Sequence, residues 1–70
     1  MHLSELTTIL KQRRNQLGIT QTDLAELSGI ALRTIKQVES GKNNPTLDTV
    51  IKLAEVLGME IKLEIKQPKI

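Results

Sequence analysis

Hydrophobic residues recur with the period of an α-helix over residues 1–58 of the chain. Apolar residues stand three or four positions apart, polar residues fill the positions between them, and a glycine follows each apolar stretch. Glycine is favoured just after a helix because it adopts a positive φ without steric cost. The pattern therefore predicts four short helices, which end before Gly18, Gly29, Gly41 and Gly58.

Each predicted helix has an aliphatic stripe along one face, which predicts an all-α bundle with an aliphatic core. Thr20 followed by Asp23 is a capping-box pattern that begins the second helix, and Thr46 begins the fourth. The residues expected to face inward are Leu24, Ala25 and Leu27 on the second helix and Leu47, Val50, Ile51, Ala54 and Leu57 on the fourth.

The period changes from that of a helix to that of a β-strand after Gly58. Met59, Ile61, Leu63 and Ile65 alternate with charged residues, and no other stretch of the chain alternates in this way. A lone strand would leave its backbone N–H and C=O groups unpaired. We therefore expect pairing with a second copy, which divides the chain into a helical domain (1–58), a dimerisation strand (59–66) and a tail (67–70).

Charge favours one register for that antiparallel pairing. A twofold axis on Leu63 opposes unlike charges along the strand, whereas an axis on Lys62 opposes like charges. An axis on Ile61 also opposes unlike charges, but it pairs fewer residues because Gly58 bounds the strand. The expected axis is Leu63, with Ile61 second.

Composition excludes several classes of protein. The chain has 70 residues, enough for one small domain, and it contains no cysteine to form a disulfide or a thiolate metal site. Its one histidine, His2, lies near the terminus, and no spacing of Asp or Glu resembles a metal site, so we expect no enzyme and no cofactor. The absence of a long apolar run or a signal-peptide pattern predicts a cytoplasmic, nucleoid-associated protein with no membrane partner.

Basic residues form two clusters, one of Lys11, Arg13 and Arg14 in the predicted first helix and one in residues 30–45. The net charge is only +2, but residues 30–45 carry Arg33, Lys36 and Lys42 against a single acid, Glu39. A basic segment of this kind is either a solvated helix face or a surface for nucleic acid.

The run QTDLAELSGIALRTIKQV, residues 21–38, has the spacing of a helix-turn-helix. Gln21 is a polar helix start, Ala25 allows a close helix crossing, Gly29 suits the turn, and Ile35 with Val38 forms an apolar anchor. Such a unit holds one helix in a DNA major groove while the other crosses the backbone.

From about Leu6 to Leu57 the chain resembles the phage repressor and Cro-like helix-turn-helix family, on the full run RNQLGITQTDLAELSGIALRTIKQVESGKNNPTLDTVIKLAEVLG. With its C-terminal strand it is most similar to small antitoxin repressors of the HipB type. The resemblance implies a mostly α, four- to five-helix repressor-like domain whose C-terminal strand pairs across a dimer. The implied partners are a palindromic operator in double-stranded DNA, a second copy, and a HipA-like toxin protein.

The resemblance also implies a role for individual residues. Leu32, Arg33 and Gln37 would read bases, because Arg suits guanine, Gln suits adenine and Leu suits a thymine methyl group. Arg14 and Glu39 would form a structural pair. The residues expected near the DNA backbone are Thr20, Gln21, Thr34, Lys36, Lys42, Asn43 and Asn44.

Each role has a simpler alternative. Gln21 is also an ordinary helix residue, the two asparagines suit an ordinary turn, and Arg14 could contact DNA rather than Glu39. The whole chain could instead be a protein-interaction module that binds and neutralises a partner protein. Salt dependence separates the two functions, because phosphate contacts release counterions and apolar protein interfaces do not.

Overall fold

A computed structural model describes residues 3–42 and 44–63 and contains four helices in these ranges. They are α1 (Leu3–Gln16), α2 (Gln21–Ser28), α3 (Leu32–Ser40) and α4 (Leu47–Val56). The prediction of a mostly α, four-helix domain is confirmed, and no strand occurs within these described ranges. Helix α2 packs on α3 and α4, and α1 packs on α3.

Aliphatic side chains from all four helices form one core. Leu24, Ile35, Leu53 and Leu57 are the large side chains buried most completely. Burial of apolar surface is the main favourable contribution to folding, so this cluster fixes the relative positions of the helices. The remaining buried hydrophobic residues are Leu10, Val38, Val50 and Ala54.

Three residues that the stripe pattern placed inward on α2 and α4 are exposed, so that part of the prediction was wrong. Leu27 is 65% exposed, Leu47 is 64% exposed and Ile51 is 38% exposed. The buried face of α4 is centred between Val50 and Leu53, so Leu47 and Ile51 lie at its edge. On helix α2 only Leu24 is buried, and Leu27, three positions later, lies at the edge of the covered face.

The turn between α2 and α3 depends on Gly29. Its φ is +74°, and its N–H donates to the carbonyl of Ala25 at 3.0 Å. Ser28 Oγ donates to the Leu24 carbonyl at 2.6 Å and accepts from the N–H of Ile30 at 3.1 Å. These bonds satisfy the end of α2 and turn the chain sharply into α3.

The end of α4 is closed by a Schellman motif. Gly58 donates its N–H to the Glu55 carbonyl at 3.2 Å, and Met59 donates to the Ala54 carbonyl at 2.8 Å. Residues 59–63 then leave the helix without regular secondary structure in the single chain. Residues 64–70, with Ile65 among them, lie outside the described ranges, and the strand across a dimer stays a prediction.

Candidate nucleic-acid interface

The outer face of α3 is basic and polar. Ile35 and Val38 anchor its inner face in the core, which turns Arg33, Lys36 and Gln37 outward at a spacing of three and four. Arg33 and Lys36 are exposed and Gln37 is half-buried. These three side chains share one surface of the molecule.

Leu32 and Thr34 occupy the two edges of this face rather than its centre. Both are half-buried, because each lies between the outward position of Arg33 and the buried anchors of α3. The structure therefore brings Arg33, Lys36 and Gln37 together and places the other two candidate residues at the border with the core.

Glu39 does not offset the charge on this face, because Arg14 holds it. Arg14 Nε donates to Glu39 Oε2 at 2.7 Å and Nη2 donates to Oε1 at 2.9 Å. The side chains are only 12% and 5% exposed. The hydrogen bond to Glu39 raises the pKa of Arg14, against the opposing effect of burial.

Gln21 joins the same network. Its Nε2 donates to Glu39 Oε1 at 3.1 Å, while Arg14 Nη1 donates to the Ile19 carbonyl at 2.8 Å. The first residue of α2 is thus tied to α1 and α3 through one carboxylate. Gln21 is half-buried and keeps its second amide hydrogen for another acceptor.

The N-terminus of α2 has the predicted capping box. Thr20 Oγ1 accepts from the N–H of Asp23 at 2.9 Å, and the N–H of Thr20 donates to Asp23 Oδ2 at 2.9 Å. Hydrogen bonding of the Asp23 carboxylate to Thr20, first to its backbone N–H and then to its side chain, lowers the pKa of the Asp23 carboxyl. The backbone N–H of Thr20 is therefore already used, and its hydroxyl would have to turn from Asp23 to donate to a phosphate.

The loop after α3 adds further polar groups beside the basic face. Lys42 and Asn44 are exposed, and Asn43 lies outside the described residues. Among residues 3–42 and 44–63, the ion pairs are Arg14–Glu39, Asp48–Lys52 and Glu60–Lys62. Arg33, Lys36 and Lys42 take part in none of these pairs.

One contact that supports the site was not predicted. Arg13 Nε donates to the carbonyl of Leu57 at 2.9 Å and so satisfies the C-terminal end of α4. The only signal in the sequence is the position of Arg13, which continues the helical stripe of Leu6, Ile9 and Leu10. A charged side chain at such a position needs a buried acceptor. Arg13 and Arg14 therefore hold two different helices onto α1.

Sequence comparison agrees with this geometry. A model of the helix-turn-helix family matches residues 10–63, more than half of the chain. The chain belongs to the helix-turn-helix family. The predicted resemblance to this family is confirmed. Within residues 3–42 and 44–63, no helix is both long and apolar enough to cross a membrane.

Several relatives of this helix-turn-helix chain have names that state a role in transcription. It is 36% identical over 55 residues to an uncharacterised HTH-type transcriptional regulator of Methanothermobacter thermautotrophicus, covering 79% of the chain and 80% of that protein. It is 35% identical over 52 residues to the cryptic phage CTXphi transcriptional repressor RstR of Vibrio cholerae, covering 74% and 46%. It is 33% identical over 60 residues to the HTH-type transcriptional regulator PuuR of Escherichia coli, covering 86% and 32%. The chain thus spans less than half of the last two proteins.

Proposed function

We propose that this helix-turn-helix chain is a sequence-specific DNA-binding transcriptional regulator that acts as a dimeric repressor. The observation that carries the proposal is the uncompensated positive charge on the outer face of α3. Arg33 and Lys36 are exposed there, while Glu39 is turned onto Arg14. Names of relatives that include transcriptional regulators and a phage repressor support the same function.

In this proposal α3 enters the major groove of double-stranded DNA and its outer face reads base edges. Arg33 donates two hydrogen bonds to guanine O6 and N7, and Gln37 forms a bidentate pair with adenine N6 and N7. Leu32, at the edge of the face, packs on a thymine methyl group. Lys36 and Thr34 contact the adjacent phosphates.

The start of α2 and the loop after α3 fix the protein on the DNA backbone. Gln21 uses its second amide hydrogen, and Thr20 its hydroxyl, to bind phosphate at the positive end of α2. Lys42, with Asn43 and Asn44, binds phosphate on the other side of α3. These contacts position α3 without reading sequence.

Two copies would read a palindromic operator. Pairing of residues 59–66 across a twofold axis, through Met59, Ile61, Leu63 and Ile65, holds the two copies of α3 at a fixed separation. Binding of both half-sites by one rigid dimer then gives higher affinity than either contact alone.

Salt dependence tests the proposal against the protein-interaction module. A tight-binding duplex is selected from a randomised library, and its affinity is measured by fluorescence anisotropy at several salt concentrations. We expect the logarithm of the affinity to fall linearly with the logarithm of salt, with a slope of about −0.9 for each phosphate neutralised. Failure to select any duplex, or affinity that salt does not change, would refute DNA binding and favour the interaction module.

The HipB-type antitoxin role stays a prediction of the sequence resemblance. Co-expression with the product of a neighbouring HipA-like gene tests it, because an antitoxin should restore growth and co-purify with the toxin. Growth arrest that this chain does not relieve would leave a stand-alone repressor.

A further inference from the structure

An open apolar groove lies on the side of the molecule formed by α1, α4 and residues 59–62, and it has a volume of about 320 Å³. Ile9 from α1, Ala54 from α4, and Met59 and Ile61 from the segment after α4 all line it. Ile9 remains 38% exposed and Ile61 36% exposed. The single chain therefore leaves an apolar surface open to water at this groove, which is costly in a protein without a partner there.

The segment 59–63, here called the arm, starts on the core and leaves it. Met59 packs against the core cluster, Ile61 is partly exposed, and Leu63 is 100% exposed. In an extended strand alternate residues share a face, so pairing of the arm as a strand would place Leu63 in line with Met59 and Ile61 past the end of the groove. The arm of one copy therefore has an unused apolar side chain, and the groove of the same copy has an unfilled space.

We propose that a second copy of this chain fills the groove, with its Leu63 side chain seated beside Met59 of the first copy. This inference rests on the dimer in the proposed function and adds α1 and α4 to its interface. A twofold axis makes the exchange reciprocal, because each copy offers both an arm and a groove. One apolar residue from each copy then covers the surface that the other leaves exposed.

The groove also changes the favoured register of the two arms. An axis on Ile61 places Leu63 of one copy opposite Met59 of the other, whereas an axis on Leu63 places the polar Gln67 there. The charged residues of the arm permit this register, since Glu60 of one copy then opposes Lys62 of the other. Filling an apolar groove therefore favours Ile61 as the axis, in place of the Leu63 axis that charge and strand length alone favoured.

Two variants test the groove without altering the DNA-reading helix. Leu63→Ser changes a side chain that is fully exposed in the single chain, and Ile9→Gln places a polar helix former in the groove wall. Leu47→Ser is the matched control, because Leu47 is 64% exposed on α4 and does not line the groove. Circular dichroism establishes that each variant retains its helices.

Sedimentation equilibrium of the full chain measures the dimer dissociation constant of each variant. We expect the dimer dissociation constant to rise about tenfold or more for Leu63→Ser and for Ile9→Gln, and to stay at the parental value for Leu47→Ser. Dimers of parental strength in both groove variants would overturn the inference while leaving the strand pairing and DNA binding intact. A parent chain that stays monomeric at every concentration would overturn the dimer and the inference together, but not the DNA contact of α3 on a half-site.

Cysteine cross-linking tests the register, since the chain has no cysteine of its own. Residues on the axis oppose their own copies, at a separation that a disulfide can span. Ile61→Cys should therefore form a cross-linked dimer under mild oxidation, and Leu63→Cys should remain largely uncross-linked. The reverse result would place the axis on Leu63 and refute the seating of Leu63 beside Met59.

Discussion

Gln21 and Glu39 lie 18 residues apart in the chain, yet the side-chain amide of Gln21 donates to the Glu39 carboxylate at 3.1 Å. The same carboxylate oxygen accepts from Arg14. A residue proposed to bind phosphate is thus oriented by an ion pair that is almost fully buried. Stability and DNA affinity should therefore respond differently to changes at the two positions.

Glu39→Ala should destabilise the fold by about 3 kcal/mol, because it leaves the guanidinium of Arg14 buried without a carboxylate. Urea unfolding followed by circular dichroism measures the loss. Lys52→Ala is the control, since it breaks an ion pair between side chains that are 52% and 75% exposed, and it should cost about 0.5 kcal/mol or less. Equal losses in the two variants would show that the Arg14–Glu39 pair contributes no more than a surface pair.

Gln21→Ala should weaken binding to every duplex by a similar factor without changing base preference, since Gln21 is proposed to contact phosphate alone. The loss of its hydrogen bond to Glu39 should lower the free energy of unfolding by only about 1 kcal/mol. Binding assays on the selected operator and on a scrambled duplex measure the first effect. An altered base preference would move Gln21 from the backbone contacts to the reading face.

Arg33→Ala should cost about 1–3 kcal/mol of binding free energy at the best operator and relax specificity at one base pair of each half-site. Lys42→Ala should weaken binding on all sequences and reduce the salt slope by about 1 for each half-site. Competition on a randomised duplex library measures both variants together. An unchanged sequence preference in Arg33→Ala would remove Arg33 from the reading residues.

The capping box should make stability depend on acid pH. Its hydrogen bonds lower the pKa of Asp23 in the folded chain, so the carboxylate stabilises the fold above the unfolded pKa. That contribution is lost as the pH falls through the folded pKa. The free energy of unfolding should therefore fall less steeply at acid pH in Asp23→Asn than in the parent, as urea unfolding at several pH values measures. Identical acid limbs for the parent and Asp23→Asn would contradict this.

The Thr20 side of the same box has a separate test at neutral pH. Thr20→Ala should cost about 1 kcal/mol through loss of the cap, and Thr20→Ser, which keeps the hydroxyl, should cost less. Urea unfolding measures both variants.

A chain that ends at Met59 should be monomeric and should bind the operator more weakly, with its four helices retained. Met59 is kept because its N–H closes α4 through the Ala54 carbonyl. Sedimentation and operator binding measure the two effects. If the shortened chain dimerises as tightly as the parent, residues beyond Met59 are not the dimerisation element.

Local signals in the sequence predicted local structure well. The Thr20–Asp23 box and the turn at Gly29 depend on residues within a few positions of each other, and both are present. Residue identity alone could not predict the bonds from Gln21 to Glu39 or from Arg13 to Leu57, which require the packed arrangement of all four helices. The family resemblance supplied the expectation that Arg14 pairs with Glu39.

The burial errors have a related cause. Leu27 and Leu47 fit a helical stripe, but the pattern does not predict how much of that face a neighbouring helix covers. Leu53 was absent from the predicted stripe and is 1% exposed, because the centre of the covered face lies nearer to it than to Leu47. Which side of a short helix is buried depends on how the other helices pack around it.

The hydrogen bonds that close the end of α4 fix the residue at which the arm begins. Because the N–H of Met59 donates to the Ala54 carbonyl, the arm leaves α4 from a fixed residue. In the proposed paired strand, one residue inserted after Met59 would turn the side chains of Ile61 and Leu63 to the face of Glu60 and Lys62. Two inserted residues would restore the faces, so changes in the length of this junction should be tolerated in steps of two.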